Sequence, residues 1–280
     1  MYQVGIRLHD AAGDTIEDKA KNAAALGFKC VHVALGKLIK DYSTADSALT
    51  PGFAMYLKKL FAHHGLDIAV LGNYLNLATP DKDALARNTR RYMTHLRFAS
   101  LLGCGVVGTE TGAPNVDYVT VPECYTQESL ELFIRNLAPV VEYAEKMGVI
   151  IAIEPVIRHI VSTPQRARYV LDAIQSPNLQ IIFDPVNLLD VTNYRQYHEI
   201  FGAAFDLLGE DIAVVHIKDF NINDGRLEAC AAGSGIMDYS DIIGFIQKDK
   251  PYIQCTLENT KPDNAAAARK FVEGGCRRDC

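Results

Sequence analysis

Short runs of apolar, often β-branched residues alternate along this chain with longer segments whose apolar positions recur at helical spacing. The short runs, near 3–8, 30–35, 67–71, 105–109, 149–154, 179–183, 212–218 and 253–258, read as eight strands buried on both faces. The segments 15–26, 51–64, 82–102, 127–147, 164–175, 193–208, 239–248 and 264–273 read as eight helices. In the fourth of them Leu130, Phe133, Ile134, Leu137 and Val141 fall on one face. Gly27, Gly65, Gly103 and Gly148 stand just before strands, where a helix end turns into left-handed backbone. Thr50-Pro51 and Thr163-Pro164 have the form of an N-cap followed by proline in the first turn.

Eight strand–helix repeats predict an α/β chain folded as a single-domain (β/α)8 TIM barrel over residues 1–275, with 276–280 a frayed tail. A doubly wound open sheet would also alternate, but it gathers ligands where the strand order reverses, often at a glycine-rich turn after the first strand. Here the first strand runs into Arg7-Leu8-His9-Asp10, and the ligand-type residues belong to strands five to eight. The closed barrel is the better fit. With 280 residues, 49% of them hydrophobic, the chain can bury such a core.

Those ligand-type residues are Glu154 in IAIEPV, Asp184 in IIFDPV, His216 in VVHIKD and Glu258 in CTLENT, separated by 30, 32 and 42 residues. That spacing is one βα unit each, so all four emerge at the C-terminal mouth of the barrel. A charge inside a doubly buried strand is costly unless paired or coordinated. One such residue is as well explained by an ion pair at a strand end. Four in succession point to a site for one divalent cation. Three carboxylates and an imidazole offer mostly oxygen, which puts Mn2+ first and leaves Mg2+, Co2+ and Zn2+ open.

A formal charge of −6 with no Lys/Arg-rich run argues against a nucleic-acid or membrane-surface binder and favours a small-molecule partner, a neutral or weakly charged substrate. The cysteines number seven, and Cys30, Cys104, Cys124, Cys230 and Cys255 form no C-x-x-C pair, which suits a reducing cytoplasm. The start MYQVGIRLHD lacks the pattern of a signal peptide. No window reaches the ~18 apolar residues of a membrane span. A homo-oligomer is compatible with all of this.

The order Glu, Asp, His, Glu on strands five to eight resembles the xylose isomerase-like barrel superfamily, the sugar phosphate isomerase/epimerase group. IAIEPV, the stretch STPQRARYVLDAIQSPNLQIIFDPVNLL and VVHIKDF carry the likeness most specifically. The group includes ketose 3-epimerases, hydroxypyruvate isomerases and inosose dehydratases, so the resemblance implies that the small-molecule substrate is a carbohydrate. The resemblance implies that Glu154, Asp184, His216 and Glu258 bind one divalent metal, and that Glu154 and Glu258 face each other across the substrate as the acid/base pair. Arg158 matches an Arg that follows the strand-five Glu in ketose 3-epimerases. Ile160, Asn187 and Ile222 stand where those epimerases carry Glu, His and Arg. His216-Ile217-Lys218-Asp219 is closer to the inosose dehydratase type.

Further candidates are weaker. Arg158 and His159 follow a ligand strand and are expected to touch substrate, together with Asn187, Glu110 and Lys218. Lys218 reads equally as an ion-pair partner of Asp219. Glu110 and Thr111 end strand four, and Asn76 and Asn187 follow strands three and six, where a local turn bond is the plainer role for Asn. His32 fits a hydrogen-bonded core histidine better than a proton shuttle. Gly233-Ser234-Gly235 reads as a turn.

The reaction expected is isomerisation or epimerisation of a sugar, ketose or related polyhydroxy ketone through an enediolate. The alternative is an inosose dehydratase-like lyase acting on a keto-inositol or keto-sugar. A sugar sensor without turnover is a third reading. A relative cutting abasic DNA, which resembles a His-rich trinuclear zinc site, fits poorly with 8 His and a net acidic chain.

Overall fold

The computed structural model describes residues 2–276; the expected tail falls largely on 277–280, outside the described residues. In chain order the strands are β1 (Gln3–Arg7), β2 (Cys30–Val33), β3 (Asp67–Gly72), β4 (Val106–Glu110), β5 (Ile150–Glu154), β6 (Leu179–Phe183) and β7 (Ile212–Ile217). Then come β8 (Asp219–Asn223), β9 (Arg226–Cys230) and β10 (Gln254–Leu257). Eight of them close into one parallel barrel in the order β1-β10-β7-β6-β5-β4-β3-β2.

The helices are α1 (Ile16–Ala25), α2 (Leu35–Leu38), α3 (Pro51–His63), α4 (Lys82–Leu102), α5 (Gln127–Met147), α6 (Pro164–Ile174), α7 (Tyr197–Leu208), α8 (Ser240–Asp249) and α9 (Ala265–Glu273). The expected boundary chemistry is in place. Thr50 and Thr163 side chains accept from the backbone N–H groups of Phe53 and Arg166. Gly27, Gly65, Gly103 and Gly148 all have positive φ. Among the described residues no helix is long and apolar enough to cross a membrane.

Three elements depart from the pattern reading. The four-residue α2 follows β2 directly, within a loop by pattern. β8 and β9 form an antiparallel hairpin joined by Asp224-Gly225, both at positive φ as a two-residue I′-type turn requires. The seventh helix also starts late: Tyr194–Gln196 is a 3-10 turn, and α-helix begins only at Tyr197.

The lumen explains how the mouth is built. Cys30, Val70, Val106, Ala152, Ile182 and Val214 pack together in a cluster separate from the larger one between sheet and helices. Side chains alternate faces along a strand, so residues two places further on point the same way, one layer nearer the mouth. Those residues are His32, Gly72, Gly108, Glu154, Asp184 and His216. The apolar lumen is thus the floor of a polar layer. A Cβ on Gly72 would lie 2.5 Å from His32 Nε2 and 2.8 Å from Tyr74 Cε2, so the bare backbone there makes room for both rings.

Candidate metal centre and its cavity

Glu154 ends β5, Asp184 follows β6, His216 lies in β7 and Glu258 follows β10. All four are buried, none more than 7% exposed. His216 Nδ1 lies 3.4 Å from Glu154 Oε2, 3.4 Å from Glu258 Oε1 and 4.0 Å from Asp184 Oδ2. These separations suit charge pairing but exceed ordinary hydrogen-bond lengths, and both ring nitrogens of His216 lack a hydrogen-bond partner. Ligand atoms of Glu154, Asp184 and His216 fall within 4.8 Å of one another, as do those of His32, His216 and Glu258.

The cluster needs positive charge. Two like unit charges 4 Å apart repel by about 4 kcal/mol even at an effective dielectric of 20. Three carboxylates packed together therefore cannot remain anionic without cations. The protein supplies one in Lys218, whose Nζ lies 2.8 Å from Asp184 Oδ2 and 3.1 Å from Glu258 Oε2. Burial would lower this ammonium's pKa, and Asp184 and Glu258 outweigh that and raise it. Burial likewise opposes charge on His216, but Glu154 and Glu258 hold the imidazole up at about 9. A buried imidazole whose two nitrogens have no hydrogen-bond partner among the described residues, crowded by three carboxylates, is a donor set that could hold a divalent ion.

Of the other expected site residues, the structure brings Asn187, Lys218 and Glu110 to the same cavity, a space of about 360 Å3. Asn187 is a bracket within it: its amide donates to Glu154 Oε1 at 2.6 Å and its carbonyl accepts from Lys218 Nζ at 2.8 Å. Glu110 sits beside Glu154 in the β4–β5 register, accepts from Tyr118 Oη at 3.3 Å, and is pushed up to about 7 by burial and then by Glu154. His159 is half-buried with Nδ1 3.7 Å from Glu110 Oε2, at the edge of this group.

Arg158 is not brought to the cavity. It is exposed, and its backbone carbonyl accepts from Thr120 Oγ1. The loop after β5 is pinned from below by the Arg166 guanidinium, which donates to the carbonyls of Ile160, Cys124, Tyr125 and Thr126. The Arg158 side chain turns to solvent, while its neighbour His159 stays near Glu110. The arginine that lines the cavity is instead Arg7, at the end of β1 and 3.5 Å from Glu258 Oε1.

Asn76 and Thr111 have structural partners. Asn76 holds the loop through the carbonyls of Ala113 and Asn115 and the N–H of Ala78, and Thr111 Oγ1 accepts from Val161. His32 does line the cavity, stacked on His216 with centroids 5.2 Å apart and bonded through Nε2 to Tyr74 Oη at 3.0 Å. Gly233 and Gly235 leave no room for a Cβ against Phe271 and Asp219, which makes that turn a packing feature.

Arg7, His9, Lys37 and Tyr74 line the cavity and were not among the expected site residues. Arg7 was within reach of the rule that found the ligands, since it ends a strand and pairs in register with His32. Lys37 lies on the short α2, which has no signal in the hydrophobic pattern.

Residues 20–273 match the family described as xylose isomerase-like TIM barrel, and the chain belongs to that family. No curated protein matches it in sequence. Among solved structures, a D-tagatose 3-epimerase-like protein superposes with a TM-score of 0.74 at 20% identity, covering 97% of this chain and 96% of that one. The 3-keto-D-glucoside 4-epimerase YcjR of E. coli gives 0.75 at 15% identity, covering 98% and 100%. The IolI protein with a bound zinc atom gives 0.73 at 14% identity, covering 98% and 96%. At these identities the likeness establishes the fold.

Proposed function

We propose that the protein is a cytoplasmic, divalent-metal-dependent isomerase or epimerase of a sugar or related polyhydroxy ketone, with residues 1–275 as its catalytic unit. One observation carries the reading: two buried glutamates on separate strands each place a carboxylate oxygen 3.4 Å from the same imidazole nitrogen, inside a cavity lined by hydrogen-bonding groups. Glu154, Asp184, His216 and Glu258 would hold the ion, Mn2+ first, and it would polarise a substrate carbonyl and the adjacent hydroxyl. The named epimerases of the same fold and the zinc-bound relative support this class.

The proton work falls to the chain. One glutamate removes the proton from the carbon beside the carbonyl, and the other returns it to the neighbouring carbon or the opposite face. Asn187 fixes Glu154 and Lys218 fixes Glu258, so each base is aimed by a hydrogen bond to its carboxylate. The buried Lys218 ammonium also offsets negative charge as it develops on the substrate oxygen.

A lyase is the second reading, and Glu110 favours it. A carboxyl held near 7 keeps its proton in about half of the molecules at neutral pH and can deliver it to a departing β-hydroxyl, releasing water after α-proton removal. Incubation of the Mn2+-loaded protein with ketoses, inososes and short hydroxy-ketoacids in heavy water tests both. The isomerase/epimerase reading expects deuterium at the carbon next to the carbonyl of unreduced product. Enone or diketone absorbance would assign the lyase, and turnover with no solvent deuterium would contradict exchange through solvent-open carboxylates.

A further inference from the structure

The β1–β2 sector of the mouth has a different character from the carboxylate sector. In the barrel order β1 stands across from β5, the strand that carries Glu154. On this side Arg7, His9, Lys37 and Tyr74 line the cavity. Arg7 is engaged: its Nε lies 3.0 Å from Asp10 Oδ2 and its Nη1 3.5 Å from Glu258 Oε1. Among the described residues no carboxylate lies within 4.0 Å of Lys37 Nζ, which rests 5.9 Å from the centroid of the Tyr74 ring. His9 Nδ1 is buried without a hydrogen bond, while Nε2 lies 3.6 Å from Asp10 Oδ1.

The field in this sector is positive. Burial first, and then the Arg7 and Lys37 charges, pull His9 down to about 4, against an opposing pull from Glu258. Lys19 adds to it, with its Nζ held on the His9 and Ala11 carbonyls. His9 is therefore a neutral donor beside an ammonium that no carboxylate contacts among the described residues, Asp10 acting on it only at longer range. A neutral sugar hydroxyl gains little from that pairing, whereas an anion gains a charge-assisted hydrogen bond from each.

Resting on the reading of the site as one for a polyhydroxy ketone, we propose that the substrate carries a single carboxylate, seated against Lys37 and His9 at the β1–β2 rim beside Arg7. The substrate class is then a keto sugar acid. One ammonium without a carboxylate partner matches a monoanion better than a phosphate dianion. The Gly233-Ser234-Gly235 turn, in the region where barrels often hold phosphate, is packed against Phe271 and Asp219 and offers no second seat.

The test is equilibrium binding to the Mn2+-loaded full chain at low salt, using 5-keto-D-gluconate, D-fructose and D-fructose 6-phosphate as probes. The keto acid is expected to bind at least about ten-fold more tightly than D-fructose, the order of one hydrogen bond to a charged group. Lys37 is exposed, so Lys37→Met and Lys37→Glu leave the core untouched. Lys37→Met should remove most of the preference, and Lys37→Glu should invert it. Equal affinity for keto acid and ketose, a preference unchanged in both variants, or a Lys37-dependent preference for the phosphate would overturn the assignment. Bound metal is measured on the same samples: metal retained with no keto-acid preference sinks only the carboxylate seat. A keto-acid preference in protein that takes up no metal would instead sink the metal-dependent reading.

Discussion

Glu258→Gln is expected to turn over the true substrate at least ~10²-fold and up to ~10⁴-fold more slowly than the parent, the range for loss of a general acid/base. The amide keeps the shape of the side chain but cannot accept the carbon proton. It also removes a charge on which three groups depend. Lys218 Nζ is 3.1 Å from Glu258 Oε2, His216 Nδ1 is 3.4 Å from Oε1 and Arg7 Nη1 is 3.5 Å from the same oxygen. Glu154→Gln should give a defect of the same order, because it removes the partner carboxylate on β5. The double variant should fall short of the product of the two losses, since both groups serve one proton-transfer sequence. Steady-state kinetics of the two single variants and the double variant measure this. A Glu258→Gln enzyme within a few-fold of the parent would remove Glu258 from the chemistry.

The second large effect is on stability. An ion that binds only the folded chain adds about 2.7 kcal/mol at a concentration 100 times its Kd, and about 4.1 kcal/mol at 1,000 times. Here the gain should be real, because the ion would replace a protonated His216 and a single ammonium as the neutralising charge among Glu154, Asp184 and Glu258. Chelation of the purified protein should lower its unfolding temperature by several degrees, at roughly 2–4 °C per kcal/mol for a domain of about this size. Added Mn2+ should restore it. Asp184→Ala, which deletes a fully buried ligand, should abolish the metal-dependent shift, whatever it does to the temperature of the metal-free protein. Calorimetric scans with and without chelator decide the point.

The strands and the buried polar residues at their ends were legible for one reason. Barrel strands are buried on both faces, so Glu154, Asp184, His216 and Glu258 interrupt apolar runs at positions where a charge has no solvent to face. The strand pleat then carries each of them to the mouth, two residues beyond a lumen side chain such as Ala152, Ile182 or Val214.

Arg158 was not legible, because position in a loop is set by what pins the loop. The Arg166 guanidinium ties the post-β5 segment, through the Ile160 carbonyl, to the carbonyls of Cys124, Tyr125 and Thr126 ahead of α5, and no spacing rule encodes these contacts. The β8–β9 hairpin did leave a signal, the Asp224-Gly225 pair between FNI and RLEA, but it was masked by the search for one helix after each strand. Lys218 illustrates a third case. By sequence it reads equally as a site residue or a partner of its neighbour Asp219; the side chain reaches Asp184 and Glu258, just past β6 and β10, a contact that only barrel closure creates.

Elemental analysis of the purified protein beside its Asp184→Ala and His216→Ala variants tests the central claim most directly, that four strand ends make one divalent centre. The parent should carry close to one divalent ion per chain after equilibration with Mn2+, and both variants should lose it while remaining folded by circular dichroism. Full occupancy in both variants, or a parent that takes up no ion, would contradict it.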